Sequence, residues 1–237
     1  MKQLWLCVLT LFPLCLTANE QAAVLLWYLE QEAGQVPDRV RYIVTDDYMR
    51  IDDGGSKNGF VLLDRKRHKV FNVVPDTRSI LVIDGDGELP AVPDSLHIDE
   101  RRSRDKDAPP IGGKATLQVV VSANDDRCYT GIVVPGLLDK AAGAMAEFSR
   151  VLAVQQRRTI DNTAAEFLTP CFLAQYLYAP GRHLAYGVPV EEWNKEGRRR
   201  TLLDYDAAAS VDDALFALPA DYLRYTPGSV PGSAGTE

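Results

Sequence analysis

The side chains suited to chemistry in this chain are few and scattered. Four cysteines stand at Cys7, Cys15, Cys128 and Cys171, and three histidines at His68, His97 and His183. No two cysteines form a Cys-x-x-Cys pair, so a thioredoxin-like redox centre finds no support. The histidines lack the spacing of a zinc site. Asp84-Gly85-Asp86-Gly87-Glu88 begins like a calcium loop, but the acidic ligand expected at the twelfth position is missing and a strand pattern precedes it. Asp52-Asp53-Gly54-Gly55 lacks oxygen ligands at alternate positions. Ser103-Arg104-Asp105-Lys106 matches the Ser-x-x-Lys of penicillin-recognising enzymes without a Lys-Thr-Gly or Ser-Asp-Asn partner, and there is no Gly-x-Ser-x-Gly elbow. The pattern assigns no catalytic residue, no metal and no cofactor, and it counts against hydrolase chemistry.

Cysteine positions carry more information than the other motifs. Cys7 and Cys15 fall in residues 1–18, where Lys2 is followed by an apolar run from Leu4 to Leu16 and then Thr17-Ala18. That run is shorter than the roughly 20 apolar residues of a membrane span and ends in a small residue, as a cleaved signal peptide does. A lipoprotein signal ending at Cys15 would want a small residue before the cysteine, where Leu14 stands. The expectation is therefore an exported chain, in the periplasm or secreted, beginning near Asn19, with no membrane span in the mature part. In an oxidising compartment the remaining even pair, Cys128 and Cys171, is expected to form a disulfide.

A net charge of −7 argues against general nucleic-acid binding, which needs a basic field to displace counterions. The basic clusters Arg101-Arg102, Arg157-Arg158 and Arg198-Arg199-Arg200 lie among acids such as Asp99, Asp161 and Glu196, and read as solvated faces. The length after residue 18 suits one domain over 19–225, with a Gly, Pro and Ser-rich tail at 226–237 expected to be disordered.

Short apolar runs separated by Gly, Asp and Pro predict strands at 24–29, 40–44, 48–51, 60–63, 70–74 and 79–83, the pattern of an antiparallel meander. The first run is apolar on both faces, which suits a strand covered on both sides. A polar insert follows at 84–114, enclosing a strand around Leu96-His97-Ile98. Two further strands are expected at 115–121 and 129–134. From Pro135 the period changes: Leu138, Ala141, Ala142, Met145, Phe148, Val151 and Leu152 form one apolar stripe of a helix ending near Arg158. Thr163-Ala164-Ala165-Glu166 fits a capping box, and Thr169-Pro170 an N-cap with proline at the first helical position, so the helical segment spans 135–178. Strands return at 184–190, 199–205 and 214–218.

Residues 41–54, with Tyr48-Met49-Arg50-Ile51-Asp52 leading to Gly54, and then Gly59-Phe60-Val61-Leu62-Leu63-Asp64-Arg65, resemble the core of an exported bacterial family of unknown function. The closing segments Gly187-Val188-Pro189-Val190 and Phe216-Ala217-Leu218-Pro219-Ala220-Asp221-Tyr222 are similar to the endings of the periplasmic lipoprotein carriers, the Lol superfamily. The resemblance implies an α+β fold, an antiparallel sheet curved into an incomplete barrel and covered by a helical segment, with acyl chains held in an apolar hollow. The polar insert and the Cys128 and Cys171 pair depart from that family.

A curved sheet has one concave face, and Leu26, Tyr42, Phe60, Leu62 and Ile80 are candidates to line it beneath the helix. The same side chains suit an ordinary filled core. Arg50 and Asp52, same-face neighbours on one strand, are either a polar anchor for a ligand head group or a structural ion pair. Three functions follow: a non-catalytic carrier of a lipid-like or other apolar ligand, which the resemblance favours; an interaction module bound to an envelope protein; and an enzyme whose groups converge only in three dimensions.

Overall fold

The structure is a computed structural model and describes residues 19–55 and 58–229. The signal-peptide reading of 1–18 and most of the tail lie outside the described residues. Thr226 to Ser229 form a tight turn, the Ser229 amide donating to the Thr226 carbonyl at 3.1 Å.

The chain adopts a mixed α+β fold built on one large, mostly antiparallel sheet of twelve strands, curved but not closed into a barrel. The strands in chain order are β1 (Glu20–Gln31), β2 (Asp38–Val44), β3 (Tyr48–Asp52), β4 (Phe60–Asp64), β5 (Lys69–Val74), β6 (Ser79–Asp84), β7 (Ile98–Ser103), β8 (Leu117–Ala123), β9 (Asp126–Val134), β10 (Val188–Asn194), β11 (Arg199–Asp212) and β12 (Leu223–Tyr225). Across the sheet they run β12-β6-β5-β4-β3-β2-β1-β11-β10-β9-β8-β7. Among the described residues only the β12–β6 pair is parallel. Two helices complete the fold, α1 (Asp139–Thr159) and the single turn α2 (Pro170–Leu173), the latter continued by a π turn over Ala174–Tyr178.

Alternation along each strand sorts the side chains onto two faces. Val24, Leu26 and Tyr28 of β1, Tyr42 and Val44 of β2, Met49 of β3 and Leu63 of β4 face α1 and share its core cluster. The opposite face of the sheet carries Ala23, Ile43 and Leu62 of these strands with Phe71 and Val73 of β5 and Ile80 of β6, which pack with Val211 and Phe216 from later in the chain. The 24–29 run is buried at Val24, Leu26 and Tyr28, whereas on its other face Leu25 and Trp27 are half-buried and Leu29 is exposed, so the covering of both faces that its apolar content suggests is complete on the α1 side and partial on the other. A third cluster lies around β8, β9 and α2.

Alanine lets α1 sit close to the sheet: Ala141, Ala142, Ala144 and Ala153 are buried along it with Met145, Val151 and Val154. Arg65 clamps the helix with two 2.7 Å bonds to Glu147. Near the other end Arg158 donates to the carbonyls of Asp84 and Asp86 at 2.7 and 2.5 Å. The loop that resembles a calcium site thus spends two carbonyl oxygens on an arginine.

The expected disulfide is present. Cys128 in β9 joins Cys171 in α2, with Cα atoms 5.0 Å apart. Thr169 caps α2 as expected, accepting from the Phe172 amide at 3.2 Å. Other local expectations need correction. Thr163 caps nothing, because a short 3-10 turn over Ala165–Phe167 begins after Ala164 with no side-chain cap. Residues 182–186 form a 3-10 turn and the strand begins only at Val188. The 214–218 segment is likewise a 3-10 turn, Asp213–Phe216, capped by Asp212 accepting from the Ala214 amide.

β10 and β11 pair through only three positions, Glu191 with Thr201, Glu192 with Arg200 and Trp193 with Arg199. Beyond Thr201 the two strands diverge. There β11 continues along β1, and among the described residues no strand pairs with its other edge. The amides of Tyr205 and Ala208 are taken by the Asp204 and Asp206 carboxylates at 2.8 and 2.9 Å.

The disulfide spans 43 residues of chain. Closing a loop of that length stabilises the fold by about 4 kcal/mol on the chain-entropy model. Denaturant unfolding of Cys128→Ala/Cys171→Ala should show a loss of up to that size, and non-reducing peptide mapping of the parent protein should recover the two peptides joined.

Candidate functional site

Where β10 and β11 meet, α1 and the 174–184 segment stand over the sheet and leave a cleft of about 430 Å³. Met145, Phe148 and Leu152 form one wall, Tyr176 and Leu184 another, and Met49, Trp193 and Tyr42 belong to the sheet side. Gly181, at φ +58, makes the turn that brings this second wall against the helix. A side chain there would meet Ser149 and Leu184. Gln175 fixes the wall to the disulfide strand by donating to the Cys128 carbonyl at 3.0 Å.

The floor is polar, and register explains why. Arg200 of β11 lies opposite Glu30 of β1 on one side and Glu192 of β10 on the other. Its guanidinium bonds to Glu30 at 2.8 Å and pairs with Glu192 at 3.3 Å. Tyr42 donates to Glu30 at 2.7 Å, and His183 Nε2 lies 2.7 Å from Glu192 Oε2. The rings of Tyr28 and Tyr42 meet edge to face at 5.3 Å, each with the Arg200 guanidinium 5.4 Å from its centroid. Tyr28 finds its own partner in the Pro189 carbonyl at 2.8 Å.

Desolvation opposes the charge on Glu192, but Arg200, His183 and Arg198 outweigh it and hold the carboxyl well below the usual carboxylate range. Burial also opposes charge on Arg200, and Tyr42, Glu192 and Glu30 reverse that, so it remains a cation. Burial drives the Tyr42 phenol far above its ordinary value, against the pull of Arg200. Glu192 and Arg200 are therefore a fixed ion pair at the base of an otherwise largely apolar cleft.

Of the five residues expected to line a hollow, Tyr42 reaches this cleft. Leu26 lies in the core under α1. Phe60, Leu62 and Ile80 face the other side of the sheet, among the cluster covered by Val211 and Phe216. Arg50 and Asp52 are also on that side. Arg50 Nε donates to Asp52 at 2.5 Å, and its Nη1 donates to the Leu215 carbonyl, also at 2.5 Å. Arg41 adds two bonds to Asp52 at 2.8 and 2.9 Å, and the Gly54 amide a further one. Arg50 also stacks on Phe60, 3.7 Å from the ring centroid. Every oxygen of Asp52 is committed within the protein, so the pair acts as an internal latch between β3 and the chain end.

The reading of Arg198-Arg199-Arg200 as a solvated face is corrected at Arg200, whose side chain is 13% exposed and turned into the floor network. The sequence does carry the signal. Glu192 and Arg200 flank a short hairpin around Gly197, and Arg200 shares its strand face with Leu202, so opposite charges at matched positions beside an apolar partner point inward. His183, set aside for lacking metal-ligand spacing, belongs to the same network. Among the described residues no group of three or more His, Cys, Asp or Glu side chains could hold a metal ion, and no helix is long and apolar enough to cross a membrane.

No family model matches the chain, and no curated protein matches it. Among solved structures, PNGF-II in its C2 and P21 crystal forms is similar at TM-scores of 0.42 and 0.40, with 11% and 8% sequence identity. The match covers 87% of this chain but only 31% and 32% of PNGF-II, so the chain spans about a third of that protein's length. A likeness at this level carries no functional argument.

Arg200→Met should destabilise the protein by about 1–3 kcal/mol, because the partly buried Glu30 and Glu192 lose a shared cation. The Glu192 carboxyl is depressed in the folded state, so its contribution is complete above the ordinary glutamate range, near pH 4.3, and is lost as pH falls below it. Thermal melts between about pH 6 and 3 should show stability falling below about pH 4.5, with a shallower fall in Glu192→Gln.

Proposed function

We propose that the chain is an exported, non-catalytic carrier or binding module whose ligand is lipid-like or otherwise apolar and lies in the cleft between α1 and the sheet. The observation that carries this reading is the cleft itself. Its volume of about 430 Å³ falls within the roughly 300–1,000 Å³ of small-molecule sites, and most of its exposed lining surface is apolar, with Met145, Phe148, Leu152 and Trp193 contributing to it and Gln155, Gln156 and Gln175 adding polar groups beside the floor network. The resemblance of residues 41–65 and 187–222 to the lipoprotein carriers agrees with such a role, with the curved sheet serving as the incomplete barrel and α1 as its cover. The N-terminal export signal agrees with work in the periplasm.

Leu152 combines a place in the cleft wall with 38% exposure, so a charge there meets water and leaves the core alone. The fluorescent apolar probe N-phenyl-1-naphthylamine should enter the parent protein and brighten. Leu152→Glu should lower that uptake severalfold with a melting temperature within a few degrees of the parent, since exposed substitutions cost about 0.5 kcal/mol or less. Leu203→Glu, at a position 50% exposed on β11 and outside the cleft, serves as the control and should bind as the parent does. A parent protein that takes up no probe would overturn the carrier reading.

A further inference from the structure

Two polar atoms on the cleft side have no hydrogen-bond partner among the described residues, although both are buried: the Tyr129 hydroxyl and His183 Nδ1. Their side chains belong to residues only 8% and 7% exposed, both line the cleft, and their rings meet edge to face at 5.3 Å. Buried polar atoms are ordinarily paired, so the floor is short of two hydrogen bonds that a ligand can supply.

The chemistry of the missing partner follows from what surrounds it. Glu192 stays ionised, so its oxygen can only accept, and His183 Nε2 at 2.7 Å must carry the proton of that bond. In the neutral imidazole Nδ1 is then an acceptor; in the imidazolium it is a donor. A hydroxyl is both donor and acceptor and satisfies either form. It can also accept from the O–H of Tyr129, whose ring packs edge to face against the imidazole. Gly131 lies directly under the His183 ring, where a Cβ would come within 3.0 Å of it, so the ring is seated flat on the strand and its orientation is set.

Charge decides the rest. Arg200 is committed to Glu30 and Glu192, and Arg198 to Glu32 at 3.2 Å. An anionic head group would approach Glu192 with every neighbouring cation already paired, and a cationic one would have to break the Arg200 pairs to win a carboxylate. We infer that the cleft selects an amphiphile with an uncharged, hydroxyl-bearing head group, its hydroxyl bonded to His183 Nδ1 and Tyr129 and its apolar body against Met145, Phe148 and Leu152. This inference rests on the cleft being the ligand site.

The test is displacement of bound N-phenyl-1-naphthylamine by monooleoylglycerol and by oleate, which share an acyl chain and differ in head-group charge and hydroxyl content. Monooleoylglycerol should displace the probe at a severalfold lower concentration than oleate. Tyr129→Phe removes a hydroxyl whose oxygen lies near the Arg182 and His183 amides but whose proton has no acceptor among the described residues, so its melting temperature should stay within a few degrees of the parent. It should bring the preference for monooleoylglycerol over oleate close to one, since the net worth of one neutral hydrogen bond is a factor of severalfold. Oleate displacing as well as monooleoylglycerol, or an unaltered preference in Tyr129→Phe, overturns the head-group assignment while the carrier reading stands. A parent protein that binds no probe overturns both.

Discussion

The fold depends on a seam. Eight strands from β12 to β11 and four from β10 to β7 meet through three residue pairs, and one of those pairs brings Arg200 between two carboxylates. Backbone pairing over so short a length is a weak join, because the sheet gains stability from long ladders and from the side chains lying across them. The Glu192–Arg200–Glu30 row compensates by tying β10, β11 and β1 together through side chains on the α1 side of the sheet. Breaking it would leave charge stranded in the interior, so the two parts of the sheet hold a single relative placement.

The other fastenings serve the same junction. Arg65 and Arg158 hold α1 over the larger part of the sheet. The disulfide and the Gln175 bond to Cys128 hold the 170–178 segment to the smaller part. The cleft is the space left between these two anchored walls, and its shape follows from covalent and ionic ties more than from packing. The same network that joins the sheet also forms the polar floor, so the stability of the junction and the character of the site are carried by one set of residues.

Much of the architecture was legible in the chain because it is written in local patterns. The doubly apolar run at 24–29, the period-two meander to residue 83, the alanine-rich stripe of α1, the Thr169-Pro170 cap and the cystine each depend on neighbours in sequence, and each is found. The site was far less legible. Its floor draws on residues 28, 30, 42, 129, 183, 192 and 200, brought together by strand register and by the late return of β11 beside β1, and no local period records that. Arg200 reads as surface because it closes a basic run that stands beside acids such as Glu196, and a charge run gives no sign of which member turns inward. Phe60, Leu62 and Ile80 were placed under the helix because alternation separates the faces of a strand without saying which one a helix covers. The 214–218 segment has the apolar content of a strand, but Asp212 captures the Ala214 amide and turns the chain before it can pair.

The open edge of β11 beyond Thr201 is the kind of surface on which one protein molecule recruits another, strand to strand. Here two of its amides are already bonded to the chain's own aspartates, at 204 and 206, and those side chains set negative charge along the line an incoming strand would follow. The peeling apart of β10 and β11 opens the cleft and would, unguarded, also expose a template for aggregation. These aspartates let the sheet split without making the molecule adhesive to its own kind.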